Sequence, residues 1–232
     1  MGDHERQLWV CHLGVVDYHA ALRLQERVRD ARQASELPDV LLLLEHPPVY
    51  TRGRRSEPGE LPMGEDWYRA QGIDIVATDR GGKLTYHGPG QLVGYPIMRI
   101  SDVVAYLRTM EAAIVAALAD AGVRAGPREG LTGVWAGERK IGSIGVHVSR
   151  GVTTHGFAIN VENDLQPFEW VVPCGLDGVR MTSVAREIAA GGPGILAGFR
   201  ELMARRFAEA FARQPRAVAS AQLEPAGVAL AP

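Results

Sequence analysis

The sequence predicts an α/β protein in which a mixed β-sheet core is flanked by helices. Three observations support this fold class. An apolar, partly β-branched run at 8–16 precedes a segment of helical period, which suits a helix covering one side of a sheet. The clearest amphipathic helix begins after Ser101 and Asp102 and ends at Gly122. Between 133 and 161, turn residues and β-type runs indicate two or three antiparallel strands.

The first third of the chain alternates strand and helix signals. Asp17 follows the first strand and is a good N-cap for the helix after it. The continuous apolar run 40–44 predicts a buried strand, which ends at a proline pair beginning with Pro47 because proline cannot pair in a sheet. The polar segment 51–64 is expected to be a loop.

A glycine-rich segment, 80–91, lies between two predicted strands at 73–78 and 92–97. It reads RGGKLTYHGPGQ and contains four glycines. Glycine lets the main chain approach a ligand without an intervening Cβ, so the segment is either a loop shaped around a ligand or a long connection. From this segment alone both readings stay open.

The second half continues with strands at 140–149 and 152–161 and a last helix at 195–212. After Gln214 the alanine- and proline-rich sequence has no apolar period. We therefore expect residues 1–213 to form a single domain and residues 214–232 to be a flexible tail.

Composition limits the possible partners. The formal net charge is −2, which gives no global attraction to nucleic acid, although Arg52, Arg54 and Arg55 form either a solvated loop or a site for an acidic partner. The two cysteines, Cys11 and Cys174, predict no disulfide framework. We see no export leader and no membrane-length apolar run, so we expect a cytoplasmic protein without a membrane anchor.

Cys174 is a candidate nucleophile. It lies between Pro173 and Gly175, a turn context that presents a side chain rather than burying it in a strand. The alternative is a small core cysteine, the usual state of a lone cysteine in a cytosolic chain. Cys11 fits that alternative, since it lies inside an apolar strand.

Lys140 is the unusual residue of the strand 140–149. By the period of two it shares a face with Ile144 and Val146, and a charged lysine on an apolar face is costly unless paired. Either its ammonium extends into solvent from the strand end, or it is sunk in a cleft where it could share a proton with a thiol. A bulge at Gly142 would weaken the facing argument.

His87 and His155 compete for the same role, although each alone is more often structural. Neither has a carboxylate at a recognisable spacing. No cluster of histidines and acids has metal-ligand spacing, so we expect no metal. The glycines fit neither a Walker loop nor a dinucleotide fingerprint, and we expect no cofactor.

In combination and order, several motifs closely resemble the lipoyl(octanoyl) transferases, enzymes of protein lipoylation. Together they extend over most of the chain from about residue 40 to residue 185. The matching segments are 45–51, 80–91, 95–97, 133–135, 140–146, 155–161, 164–165 and 173–175.

The resemblance implies the α/β fold of the biotin and lipoate protein ligase catalytic domain. It also implies an acyl-thioester intermediate on Cys174, with Lys140 lowering the pKa of its thiol. The implied acyl pocket consists of Arg80, Gly81, Gly82, Lys83, Leu84, Thr85, Tyr86, His87, Ser143, Ile144, Gly145, Gly156, Phe157 and Ala158.

The implied acyl donor is octanoyl-acyl carrier protein. The implied acceptors are lipoyl domains of 2-oxoacid dehydrogenase complexes and the glycine cleavage H protein. Two other functions stay open: an ATP-dependent lipoate or biotin ligase, which needs no cysteine, and a non-catalytic module that binds acyl groups or lipoyl domains. A papain-like hydrolase is disfavoured because no ordered Cys-His-Asn pattern follows Cys174.

Overall fold

The computed structural model describes residues 6–171, 179–188 and 194–223. The strands are β1 (Gln7–Val15), β2 (Asp39–Glu45), β3 (Val49–Arg52), β4 (Asp74–Ala77), β5 (Thr85–His87), β6 (Gln91–Ile97), β7 (Gly126–Arg128), β8 (Leu131–Ala136), β9 (Arg139–Ser149), β10 (Val152–Asn160), β11 (Arg180–Met181) and β12 (Gln214–Ala217). The helices are α1 (Tyr18–Gln33), α2 (Glu65–Ala70), α3 (Val103–Asp120), α4 (Gln166–Glu169), α5 (Val184–Glu187) and α6 (Ile195–Ala210), with a 3₁₀ helix at Ser220–Leu223.

Within the described residues, nine strands form one mixed sheet in the order β12-β1-β2-β6-β10-β9-β8-β7, with β11 beside β9. β1 is parallel to β2 and to β12, and β11 is parallel to β9. The neighbours from β2 to β7 are antiparallel. A second sheet has the order β4-β3-β5. The predicted mixed sheet with flanking helices is therefore confirmed.

Strand β2 shows why helices cover both faces of the large sheet. Its apolar run is fully buried, as predicted. Because side chains alternate along a strand, Leu41 and Leu43 join a core with α3 and α6, whereas Leu42 and Leu44 join a core with α1. None of the helices in the described ranges has the length and apolar character to cross a membrane.

Aspartates cap the N-terminal ends of α1 and α3, as the sequence predicts for Asp17. Its carboxylate accepts the backbone N–H of Ala20 at 2.9 Å. Asp102 accepts the N–H groups of Val104 and Ala105 in the same way. Each cap satisfies N–H groups that lack a partner inside the helix.

The expectations about irregular segments hold only in part. The predicted loop 51–64 begins with the last two residues of β3, and residues 53–64 contain no strand or helix. The glycine-rich segment contains β5, which pairs with β3. The expected tail from residue 214 begins with β12, which pairs with β1, and the following Leu223 is fully buried. Residues 224–232 lie outside the described residues.

Asp39 joins three distant parts of the chain. Its carboxylate accepts from Arg32 Nε at 2.9 Å and from Arg213 Nε at 3.0 Å, and it also accepts the backbone N–H of Arg99. The Asp39 side chain is 1% exposed. This carboxylate therefore ties α1, the end of β6 and the chain after α6 together.

Replacing Asp39 with alanine should lower the free energy of unfolding by about 3–5 kcal/mol, because it leaves the buried guanidinium of Arg32 without its counter-ion. Urea unfolding measures this change. Asp66→Ala is the matched control: its fully exposed carboxylate contacts Arg69 at 3.5 Å, and the change should cost less than about 0.5 kcal/mol. Equal losses for the two variants would contradict the role given to Asp39.

Candidate active site

A cavity lies between strands β9 and β10 and the first part, 80–87, of the glycine-rich segment. Its empty space, counted together with the open mouth, is about 510 Å³. Every residue of the expected acyl pocket lines it except Gly81 and Tyr86. The structure thus brings the segment 80–87 together with the consecutive strands β9 and β10, which lie more than 50 positions further along the chain.

The two exceptions have other contacts. Gly81 donates its backbone N–H to the oxygen of Val146 at 3.0 Å, so it attaches the segment to β9. Tyr86 is buried among aromatic rings, with Tyr50 at 5.4 Å and Phe168 at 5.5 Å between ring centroids. The expectation that Tyr86 lines the pocket is therefore corrected: it packs behind the wall.

Close approach of the segment to the sheet depends on Gly145. A Cβ at this position would lie 2.7 Å from the oxygen of Gly81, a distance that side chains do not adopt. Glycine therefore lets the segment cross β9 in direct contact. This explains one glycine of the motif 140–146 by main-chain packing rather than by flexibility.

Arg80 is buried and shapes the segment from inside. Its guanidinium donates to the hydroxyl and the backbone oxygen of Thr51 and to the backbone oxygen of Gly81. A guanidinium matches several acceptors in one plane. Arg80 therefore connects β3 with the wall of the cavity. Lys83, at the mouth, pairs with Glu57 at 3.0 Å.

Lys140 lies on the cavity wall, near the start of β9. It is 6% exposed, so the side chain does not extend into solvent. Its Nζ lies 5.7 Å from the centre of the Trp135 ring, which is within range of a cation–π contact. Of the two alternatives for this lysine, the structure has the one sunk in a cleft.

Of the two cysteines, Cys11 lies within the described residues. Cys11 is buried in β1, and burial raises the pKa of its thiol, as expected for a core cysteine. Cys174 lies outside the described residues, and its contact with Lys140 stays a prediction. The chain after residue 179 lies beside Lys140: Met181 of β11 pairs with Lys140, and the N–H of Thr182 donates to the backbone oxygen of Lys140 at 2.9 Å.

A cluster of buried rings forms another part of the wall. Tyr18, His87 and Tyr95 line the cavity, and His46 lies behind them. His46 Nδ1 is 2.7 Å from the oxygen of Val16, which can only accept, so this nitrogen carries the proton. His46 Nε2 therefore accepts the hydroxyl of Tyr95 at 2.7 Å.

The titratable groups of this cluster are neutral near pH 7. Burial lowers the pKa of His46 to about 4 and holds the pKa of His87 well below its usual value. Burial also raises the pKa of Tyr18 to about 12 and that of Tyr95 well above the usual value. This part of the wall is therefore aromatic and uncharged, which suits an apolar ligand.

His155 has an acid partner that its sequence spacing did not reveal. Its Nε2 lies 2.6 Å from Asp79, which is 76 positions away in the chain. This hydrogen bond lowers the pKa of Asp79 to about 2. For His155, burial outweighs the carboxylate and lowers its pKa, so the neutral ring donates Nε2–H to the carboxylate.

Acid should destabilise the protein through its three buried neutral histidines, His46, His87 and His155. The unfolded state takes up their protons below about pH 6.5, whereas the folded state does not. The free energy of unfolding should therefore fall as the pH drops, by up to about 1.4 kcal/mol per pH unit for each histidine. For His46 this loss continues down to pH about 4.

Urea unfolding between about pH 7 and about pH 5 measures this dependence. His46→Gln is the comparison variant and should reduce the slope by the share of one histidine. A flat profile over this range in the wild type would contradict neutral buried rings.

Sequence reasoning missed Tyr18 and Tyr95 as wall residues. In the sequence, Tyr18 is only the first residue after a helix cap, and Tyr95 is only one apolar position of a strand. The available signal for Tyr95 was that it belongs to the matching motif 95–97. Within the described ranges, no three His, Cys, Asp or Glu side chains are grouped to hold a metal ion.

Known proteins resemble this chain in sequence. A family model described as the lipoyl protein ligase A/B catalytic domain matches residues 17–212. Octanoyltransferase from Solibacter usitatus is 52% identical over 168 residues, which cover 71% of this chain and 76% of that protein. Octanoyltransferase from Mycobacterium leprae is 48% identical over 188 residues, which cover 77% and 78% of the two chains.

The fold is also similar to that of solved structures. One comes from an archaeal lipoylation system, a bi-partite lipoate protein ligase and its E2 lipoyl domain from Thermoplasma acidophilum. The TM-score is 0.69 at 20% identity, and the match covers 94% of this chain and 90% of the other. At this identity the likeness concerns the fold, and it confirms the fold that the motifs implied.

Proposed function

Since the chain belongs to the lipoyl protein ligase A/B catalytic domain family, and within it to the octanoyltransferases, we propose that it transfers octanoyl through a thioester on Cys174. It is an acyltransferase of protein lipoylation. The observation that carries the proposed mechanism is the buried Lys140 side chain on the wall of a largely apolar cavity. We place the reaction in the cytoplasm, where a catalytic thiol stays reduced.

The proposed donor is octanoyl-acyl carrier protein. The Cys174 sulfur attacks the thioester carbonyl, and the bond to the carrier sulfur breaks. Lys140 accepts the proton of the Cys174 thiol and returns it to the departing carrier thiol. One thioester replaces another, so the exchange is nearly balanced in free energy and needs no ATP.

The proposed acceptor is a specific lysine of a lipoyl domain, in 2-oxoacid dehydrogenase complexes or the glycine cleavage H protein. The neutral amine attacks the acyl carbonyl, an amide bond forms and the bond to Cys174 breaks. Lys140 takes a proton from the attacking amine and returns a proton to the Cys174 sulfur. The enzyme is then ready for the next donor.

The cavity suits the alkyl chain of the acyl group. Leu84, Phe157 and Ala158 contribute apolar surface, and the neutral rings of Tyr18 and His87 continue it. The small residues Ser143 of β9 and Ala158 of β10 also line the space between the sheet and the glycine-rich segment. We propose that the octanoyl chain lies in this space, with its carbonyl towards Lys140.

Two arginines near the cavity provide a surface for an acidic carrier. Arg54 and Arg55 are exposed, and their backbone N–H groups donate to the oxygens of Arg80 and Gly82 in the cavity wall. Arg52 is different, because it pairs with Glu65. The first two therefore present positive charge beside the proposed acyl site.

Replacing Arg54 and Arg55 together with glutamine should slow association with the carrier protein about 10-fold at low salt, and less at high salt. Stopped-flow association at two salt concentrations measures this effect. The matched control is Arg205→Gln, since Arg205 is held by Asp120 on another part of the surface. If the double variant kept wild-type rates and salt dependence, carrier docking at these arginines would be wrong.

An ATP-free transfer assay tests the proposed function. The protein is incubated with octanoyl carrier protein and an apo lipoyl domain, and mass spectrometry of the lipoyl domain detects the octanoyl amide. We expect product without ATP. Product only with ATP and free octanoate would instead support a ligase, and stoichiometric binding without product would support a non-catalytic binding module.

A further inference from the structure

The end of the Lys140 side chain lies against the main chain of Gly133. A Cβ on Gly133 would be 2.9 Å from Lys140 Cε and 3.5 Å from its Nζ, and only 2.6 Å from the oxygen of Gly142. Gly133 has a φ of +123°, which residues with side chains rarely adopt. The path of the backbone at Gly133 therefore sets one side of the space that holds the amine.

Sheet pairing alone does not fix this path. The register between β8 and β9 shifts between Val134 and Trp135, which marks a bulge beside Gly133. The N–H of Gly133 instead donates to Glu111 Oε1 at 3.2 Å, a carboxylate that reaches it from α3. A helix side chain thus holds the strand at the point where the lysine contacts it.

Glu111 lies in the apolar face of α3, beside Met110 and Ile114, and is only 3% exposed. A buried carboxylate is costly unless its oxygens are satisfied. Its second oxygen accepts from Arg108 at 2.7 Å, but the Arg108 side chain is 63% exposed. Arginine–glutamate pairs three residues apart on a helix also form on protein surfaces, so the pair with Arg108 does not explain why Glu111 is buried. The hydrogen bond from Gly133 explains it.

We propose that Glu111 is a positioning residue for Lys140 and acts through Gly133. The inference rests on the proposed function, in which Lys140 exchanges a proton with the thiol of Cys174. Glu111 fixes the main chain of Gly133, and this chain, with the ring of Trp135, restricts where the amine can lie. Glu111 does not line the cavity, so its effect on the reaction passes through Lys140.

Two conservative variants distinguish the effect of side-chain length at position 111 from the effect of its charge. Glu111→Asp keeps the charge but is one methylene too short to bond Gly133, whereas Glu111→Gln keeps the length and an acceptor oxygen. We expect Glu111→Asp to lower kcat about 10- to 100-fold with little change in KM. The alkylation rate of Cys174 against pH should also shift towards the profile of Lys140→Ala. Glu111→Gln should stay within about threefold of the wild-type kcat.

The control variant is Glu209→Asp, which shortens a carboxylate of the same spacing from its arginine, Arg206, on the exposed face of α6. It should leave kcat and the alkylation profile unchanged. Wild-type behaviour of Glu111→Asp, or a larger effect of Glu111→Gln than of Glu111→Asp, would overturn the inference. If Lys140→Ala itself left the alkylation profile unchanged, the failure would lie in the proposed role of Lys140 instead.

Discussion

Cys174→Ser should abolish octanoyl transfer, with turnover falling by about 10⁴-fold or more. Serine places a hydroxyl where the reaction needs a thiolate, and a hydroxyl ionises far less readily than a thiol. Steady-state transfer from octanoyl carrier protein to an apo lipoyl domain measures the loss. The thermal unfolding midpoint should stay near that of the wild type.

Cys11→Ser is the matched control, because Cys11 is the other cysteine of the chain and lies fully buried in β1. Its buried thiol, with a raised pKa, is a poor nucleophile. Transfer by the folded Cys11→Ser protein should match the wild type. Loss of transfer in this variant, with retention in Cys174→Ser, would reverse the assignment.

Lys140→Ala should lower kcat by about 10²- to 10⁴-fold, the range expected when a general base is removed. The same change should raise the pKa of the Cys174 thiol, measured by alkylation rate against pH, because the thiolate loses a neighbouring cation. KM for the carrier protein should change little, since Lys140 lines the cavity, whereas Arg54 and Arg55 are on the exposed surface.

Lys83→Ala tests whether this effect is specific, because Lys83 is the only other lysine in the chain. Lys83 lies at the cavity mouth and pairs with Glu57, so its loss should affect kcat by less than about threefold. An unchanged thiol pKa in Lys140→Ala would mean that another group activates Cys174.

Much of the fold follows from local signals in the sequence. The run 40–44 predicts a strand buried on both faces, and Asp17 predicts a helix start, because each depends on neighbouring residues only. β3, β5 and β12 were missed for the opposite reason. These strands are short and depend on partners far away in the chain, such as β1 for β12.

The candidate site was predictable only as far as its motifs reached. Segments 80–87, 143–145 and 156–158 meet around one cavity, as the family resemblance implied. The pairing of His155 with Asp79 bridges 76 positions and has no local pattern. The role of Glu111 was not predicted either, because nothing in the local sequence distinguishes it from the other positions of a helix that packs by its apolar face.

Trapping the acyl-enzyme tests the central claim most directly. The protein is mixed with octanoyl carrier protein without ATP or acceptor, and peptide mass spectrometry locates the adduct before an apo lipoyl domain is added. We expect one octanoyl group on Cys174, which then moves to the lipoyl domain at least as fast as steady-state turnover. An adduct on Cys11, no adduct, or one that the lipoyl domain discharges more slowly than turnover would contradict a thioester intermediate on Cys174.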